Sequence, residues 1–109
     1  MDKENLKQLI AEMPQILELS KTEGSNINFK EYYEAILAEL SINLNDTIDF
    51  LNSCNQDEFY WTCSFVIDLS KRFRSKELVD CVESNVARLD SKFAREALQF
   101  ELDYMKKYV

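Results

Sequence analysis

Apolar residues recur along this chain with the 3.6-residue period of amphipathic helices. The periodicity predicts long helices over residues 3–20, 29–43, 56–74, 76–89 and 92–108, and a short helix around Ile48 and Leu51. The chain has only one glycine and one proline, whereas sheet proteins need turn residues at many corners. The sequence therefore predicts one all-α domain over residues 1–109, either a compact bundle or a short α-solenoid-like stack of five to six antiparallel amphipathic helices.

The first predicted helix contains Pro14. Proline lacks a backbone donor and clashes with the preceding turn of a helix, but the apolar stripe keeps the same phase on both sides of this residue. We therefore expect a kink rather than a break. The residues expected to be buried against one core are Leu6, Ile10, Met13 and Leu17.

Small polar residues mark the predicted helix starts. Asn28 precedes Glu31 by three positions, which is the spacing of a capping box. The other predicted N-caps are Asn45 or Asp46 for the short helix, Ser75 for the helix over 76–89, and Asp90 or Ser91 for the last helix.

Two helices have apolar faces that are expected to line the core. The helix over 56–74 is apolar around much of its circumference, which is typical of a central helix with neighbours on both sides. Its buried stripe is predicted to contain Phe59, Cys63, Val66, Ser70 and Phe73. In the last helix, the residues expected to face inward are Phe93, Ala97, Phe100, Tyr104 and Tyr108.

Charge is distributed unevenly along the chain, whose formal net charge is −7. The first 54 residues contain ten acidic and four basic residues, a net charge of −6, and the remainder contributes only −1. A one-sided negative field accelerates the association of basic partners and repels nucleic acid. The sequence therefore predicts a module that binds a positively charged partner and no nucleic acid.

The residues needed for most enzyme chemistry are missing. Without histidine, the chain cannot form a Ser-His or Cys-His nucleophile pair, and it has no glycine-rich phosphate loop. Its three cysteines are odd in number and lack C-x-x-C spacing, which disfavours a disulfide framework or a zinc site. We expect no catalytic residue, cofactor, metal or small-molecule substrate.

The expected compartment is the cytoplasm. Residues 1–5 have neither the basic nor the apolar region of a signal peptide. The longest apolar-rich stretch, residues 59–69, is far shorter than the roughly 20 residues that span a membrane, so no membrane partner is expected.

Two surfaces are candidate binding sites. Asp57, Trp61, Ser64, Asp68 and Arg72 share the outward face of the helix over 56–74, where a tryptophan among acidic residues resembles a binding hot spot. The favoured alternative is that another helix covers Trp61. The acidic half adds a second face, so the candidate partner-binding residues are Glu31, Glu34, Asp46, Asp49, Asp57, Trp61 and Asp68.

Residues 71–76 form the only basic cluster of the chain. A nucleic-acid-binding role would require net positive charge and one recognition face. The cluster instead straddles a predicted helix end, where cations stabilise exposed carbonyl groups. We therefore interpret it as structural.

Several segments together resemble a known class of protein. These are residues 49–54, Asp57–Trp61, residues 65–69 and Ser75–Cys81. Their layout resembles the small helical immunity proteins encoded beside bacterial polymorphic and contact-dependent growth inhibition toxins, in which a D/E-x-x-x-W helix start is followed by an S-K-E-h-h-D/E-C helix start, where h is apolar. The resemblance covers about residues 46–89 and fixes no functional residue.

This resemblance implies a non-enzymatic antitoxin that binds a cognate toxin domain and blocks its active site or its access to substrate. Nuclease toxins are basic because they bind phosphates, so an acidic inhibitor would be steered onto them. The alternative is an acidic helical adaptor or regulatory protein that binds a basic protein partner unrelated to toxins.

Overall fold

The amphipathic periodicity gives rise to seven α-helices in the computed structural model, which describes residues 1–109. The helices are α1 (Lys3–Ser20), α2 (Phe29–Leu40), α3 (Leu44–Ser53), α4 (Gln56–Thr62), α5 (Val66–Phe73), α6 (Lys76–Ala87) and α7 (Lys92–Met105). One 3₁₀ turn, Cys63–Phe65, joins α4 to α5, and another, Lys106–Tyr108, follows α7. There is no strand, and the all-α prediction is confirmed.

Polar side chains cap the helices as the sequence predicted at three starts. The side chains of Asn28, Ser75 and Ser91 accept hydrogen bonds from backbone amides three residues further on. Only half of the predicted capping box forms at Asn28. A complete one forms instead at the start of α4, where the Asn55 side chain accepts from the Glu58 backbone amide at 2.9 Å and the Glu58 carboxylate accepts from the Asn55 backbone amide at 2.8 Å.

The boundary between α2 and α3 differs from the prediction. Helix α2 ends at Leu40 rather than residue 43, and Asn43 caps α3, not Asn45 or Asp46. The physical reason is the buried side chain of Thr47, whose hydroxyl lies within hydrogen-bond reach of the carbonyl oxygens of Leu40 and Asn43. These contacts occupy the last carbonyl of α2 and hold the turn between α2 and α3. As a result, α3 begins at Leu44, before the predicted caps Asn45 and Asp46.

Pro14 does not break α1, which is one helix of 18 residues. Leu6, Ile10 and Met13 are buried in the core. Leu17 is only half-buried and lies outside the core cluster, so the prediction that all four residues would share one core was wrong for it.

One hydrophobic cluster of 21 buried residues draws on all seven helices. Helix α1 packs against α2 and α4, α3 packs against α6, and α7 packs against both α5 and α6. The helix predicted over 56–74 is interrupted at residues 63–65, where the tighter 3₁₀ turn rotates the chain. Consequently Thr62 and Phe65 are also buried, although the predicted stripe did not include them. The residues of that stripe are buried as predicted, except Phe73, which is only half-buried.

The last helix turns a different face inward from the one predicted. Its buried face consists of Leu98, Leu102 and Met105. Three of the residues predicted to be buried are instead exposed by 77%, 79% and 46%, namely Phe93, Phe100 and Tyr104. The prediction was wrong because α7 has two neighbouring apolar stripes, and the aliphatic one faces α5 and α6.

Candidate partner-binding surfaces

The acidic half of the sequence forms a contiguous part of the molecule. It comprises α1, α2 and α3, and α2 packs against both of the others. The only ion pairs of this half are Lys7 with Glu58 at 3.9 Å and Lys21 with Glu18 at 3.7 Å. Most of its carboxylates are therefore not neutralised within the chain, and their charge is available to a partner.

The four predicted acidic residues of this half are all exposed. Glu31 and Glu34 lie in the first two turns of α2, and Asp46 and Asp49 lie in the first two turns of α3. None of these four side chains takes part in an ion pair, and no hydrogen bond joins the two on α2 to the two on α3. They act as separate sources of one field rather than as ligands of one site.

Asp68 belongs to a depression between α2 and α5. The hydroxyl of Tyr33 donates a 2.7 Å hydrogen bond to the Asp68 carboxylate and lies 3.1 Å from the Ser64 carbonyl oxygen. Burial, followed by the neighbouring Asp68, raises the pKa of Tyr33. The depression has a volume of about 650 Å³, and its lining includes Glu34 along with Lys30, Lys71 and Arg72. The depression contains both acidic and basic side chains and therefore presents no surface of one charge. Within it, Asp68 accepts the hydrogen bond of Tyr33.

Trp61 is exposed by 39%, and the expectation that another helix would cover it was wrong. Its ring meets that of Tyr60 edge-on, with centroids 5.7 Å apart. Trp61 and Asp57 both line a cleft of about 490 Å³ between α1 and α4. On its other side, Trp61 lines a groove of about 180 Å³ between α4 and α7. The structure thus brings Asp57 and Trp61 together and places Asp68 elsewhere.

The exposed aromatic residues of α7 form a surface that the sequence predicts to be buried. Phe93, Phe100 and Tyr104, with Ala97 between the two phenylalanines, form what we call the aromatic stripe. Phe93 and Phe100 are the most exposed large apolar side chains of the chain. The sequence contains both apolar faces, since Leu98, Leu102 and Met105 form an aliphatic stripe beside the aromatic one, but it does not determine which of the two is buried.

A polar cavity of about 380 Å³ lies between α3 and α6. The buried side-chain amide of Asn85 donates hydrogen bonds of 2.9 Å to the Asn52 side chain and to the Cys81 carbonyl. The Asn85 oxygen accepts from Arg88. These hydrogen bonds satisfy the buried side-chain amide of Asn85 and connect α6 to α3.

Three of the four cationic side chains of the basic cluster over 71–76 have partners within the chain. The cationic groups of Lys71 and Arg74 lie 5.7 and 5.9 Å from the centroid of the Tyr108 ring, and Lys76 forms an ion pair with Asp80 at 3.1 Å. Arg74 adopts a left-handed conformation (φ 47°) that ends α5. These contacts support the structural interpretation of the cluster.

The three cysteines are free thiols. Burial raises the pKa of Cys54 to about 11, aided by the nearby Glu58, and burial also raises the pKa of Cys63 and of Cys81. Cys54 is half-buried, whereas the other two are buried. Nowhere in the structure do three histidine, cysteine, aspartate or glutamate side chains lie close enough to hold a metal ion.

We expect the thiols of the folded protein to react with a maleimide or disulfide reagent at pH 8 at least about tenfold more slowly than those of the unfolded chain, because the thiolate is the reactive form. Cys54 should react first, and Cys54→Ser should remove that first phase. Mass spectrometry of timed samples identifies the labelled residue. Initial labelling of Cys63 would contradict the packing described above.

None of the helices has the length and apolar character that a membrane-crossing segment requires. No protein-family model matches the chain, and neither a curated protein nor a solved structure is significantly similar to it.

Proposed function

We propose that this chain is an immunity protein that binds and neutralises a cognate bacterial toxin in the cytoplasm, and that the toxin is a basic nuclease. The observation that carries the proposal is the net charge of −6 on residues 1–54, which contain α1–α3. In this half Glu31, Glu34, Asp46 and Asp49 are exposed and unpaired. The sequence resemblance over residues 46–89 supplies the functional class.

The physical basis of neutralisation is competition for a phosphate-binding surface. A nuclease must present basic residues to the phosphates of its substrate. An acidic surface on a small helical domain is attracted to the same residues. This long-range attraction steers the two proteins together and accelerates their association. Once bound, the domain excludes the nucleic acid from the toxin by occupying its active site or covering the path that leads to it.

An immunity gene is expected directly downstream of its toxin gene, so the direct test is co-expression of the chain with a toxin domain found immediately upstream. We expect the cells to grow, the purified pair to form a stoichiometric complex, and the nuclease activity of the toxin to fall in proportion to the amount of chain added. A chain that binds a basic protein without protecting the cell would support the adaptor function instead. Salt-dependent binding of RNA or DNA by the isolated chain would contradict both functions.

Reversing Glu31, Glu34, Asp46 and Asp49 to lysine should slow association with the toxin by about tenfold or more at low salt. It should also flatten the salt dependence of the association rate, because the reversal removes the negative field of α1–α3. Single reversals should have small effects, since exposed charges are screened over a Debye length of about 8 Å. Stopped-flow association at several salt concentrations measures both quantities.

The matched control reverses Glu77, Asp80, Glu83 and Asp90, which are exposed residues of the less acidic half. This control changes the net charge of the chain by the same amount but leaves α1–α3 intact. Equal slowing by both variants would show that only total charge matters. An unchanged rate for the first variant, with the fold intact by circular dichroism, would remove the acidic half from the binding mechanism.

A further inference from the structure

The aromatic stripe of α7 continues across two grooves to Trp61 on α4. Ala97, which lies on the stripe between Phe93 and Phe100, also lines the groove that contains Trp61 and Glu101. A second groove of about 260 Å³ contains Phe93 and Asp57. Tyr60 lines both grooves, so they form one continuous surface, which we call the α4–α7 surface.

Exposed aromatic side chains at this density are unusual for a surface that meets only water. Large aromatic residues are enriched at the centres of protein interfaces, where they supply most of the binding energy. On α7 Phe93, Phe100 and Tyr104 are separated by intervals of seven and four residues, so they lie along one side of the helix. The arrangement provides a row of anchors on a helix rather than on a loop.

The charges within the two grooves have one sign. Each groove contains one carboxylate, from Asp57 in one and from Glu101 in the other. Neither carboxylate takes part in an ion pair of the chain, and no lysine or arginine lines either groove. A carboxylate beside aromatic rings is the environment that a guanidinium prefers, because it can pair with the charge and stack on the ring.

We propose that the α4–α7 surface is the docking site for a partner protein that inserts arginine side chains into the two grooves and lays an apolar side chain on Phe93 and Phe100. A second copy that presented the same face would bring carboxylates against carboxylates, because each groove contains an acidic residue and neither is lined by lysine or arginine. The inference rests on the proposed function for the identity of the partner, the basic toxin. The chemistry of the surface itself is independent of that identity.

Binding can be followed directly because Trp61 is the only tryptophan of the chain. The probe is a synthetic peptide in which arginine and leucine alternate, compared with one peptide that has glutamate in place of arginine and another that has serine in place of leucine. We expect the arginine–leucine peptide to shift the Trp61 emission to shorter wavelength in a saturable manner. The two comparison peptides should bind at least about tenfold more weakly.

Variants then separate the contribution of the aromatic side chains from that of the two carboxylates. The double variant Phe93→Ala/Phe100→Ala should weaken binding of the arginine–leucine peptide about tenfold or more, and Asp57→Asn/Glu101→Gln should weaken it while flattening its salt dependence. Ile42→Ala is the matched control, because Ile42 is 73% exposed but belongs to the turn between α2 and α3. Equal binding by the double aromatic variant and the Ile42 control would overturn the proposal. So would sedimentation that shows a dimer lost in Phe93→Ala/Phe100→Ala, since a second copy would then occupy the surface.

The complex with the toxin separates this inference from the proposed function. If the chain fails to protect cells but the peptide results hold, the surface is a docking site and the proposed function is wrong. If the chain protects cells, we expect the Phe93→Ala/Phe100→Ala variant to dissociate faster from the toxin by about tenfold or more. Unchanged dissociation and unchanged Trp61 emission in that complex would overturn the inference and leave the proposed function intact.

Discussion

Replacing Phe65 by alanine is expected to lower the free energy of unfolding by about 3–5 kcal/mol, the range for removing a large buried aromatic side chain. Phe65 is fully buried within the 3₁₀ turn between α4 and α5. Its ring stacks on that of Tyr33, with centroids 4.5 Å apart. This contact connects the turn between α4 and α5 to α2. The substitution leaves a cavity in the core and removes this connection.

Chemical denaturation measures the loss, and thermal unfolding should show a lower midpoint by at least about 10 °C. The matched control is Phe100→Ala, which makes the same change at a position exposed by 79% and should alter stability by less than about 0.5 kcal/mol. Equal effects of the two substitutions would mean that α7 buries its aromatic stripe, contrary to the structure.

Replacing Pro14 by alanine is expected to raise the free energy of unfolding by about 1–3 kcal/mol. Proline inside a helix cannot donate to the carbonyl oxygen four residues earlier, here that of Ile10, and costs about 3 kcal/mol relative to alanine. Because α1 is helical on both sides of Pro14, alanine can adopt the same backbone and restore this donor. The half-buried ring of Pro14 loses some contacts, which reduces the gain.

Denaturation of Pro14→Ala is best compared with Gln15→Ala, an exposed neighbour at which alanine should change stability by less than about 0.5 kcal/mol. A loss of stability in Pro14→Ala would show that the ring contacts, or a bend that only proline allows, matter more than the missing hydrogen bond. The position of Leu17 outside the core cluster would then follow from that bend.

Features that depend on neighbours in the sequence were predicted well. The N-caps Asn28, Ser75 and Ser91 are correct because a cap is a hydrogen bond between residues three positions apart. The bounds of α1 and the inward stripe of Phe59, Cys63 and Val66 follow from local periodicity.

Features of the candidate surfaces depended on contacts between distant helices. The residues that neighbour Trp61 in the sequence do not determine whether α7 covers its side chain or leaves a groove beside it. Equally, the carboxylates of Asp57 and Glu101 lie far apart in the sequence, and only the packing of α4 and α7 places them on one surface.

The sequence by itself determined that the chain is helical, where most helices begin, and that the acidic charge belongs to residues 1–54, because each of these depends on composition or on residues within one or two turns. The tertiary structure alone decided that α2 ends at Leu40, that a 3₁₀ turn interrupts the central segment, and that α7 exposes its aromatic stripe. The physical reason is that α7 could have buried either of two apolar faces, and the choice depends on the fit of Leu98, Leu102 and Met105 against α5 and α6. That fit depends on three helices packed together, so it cannot be inferred from the periodicity of α7 alone.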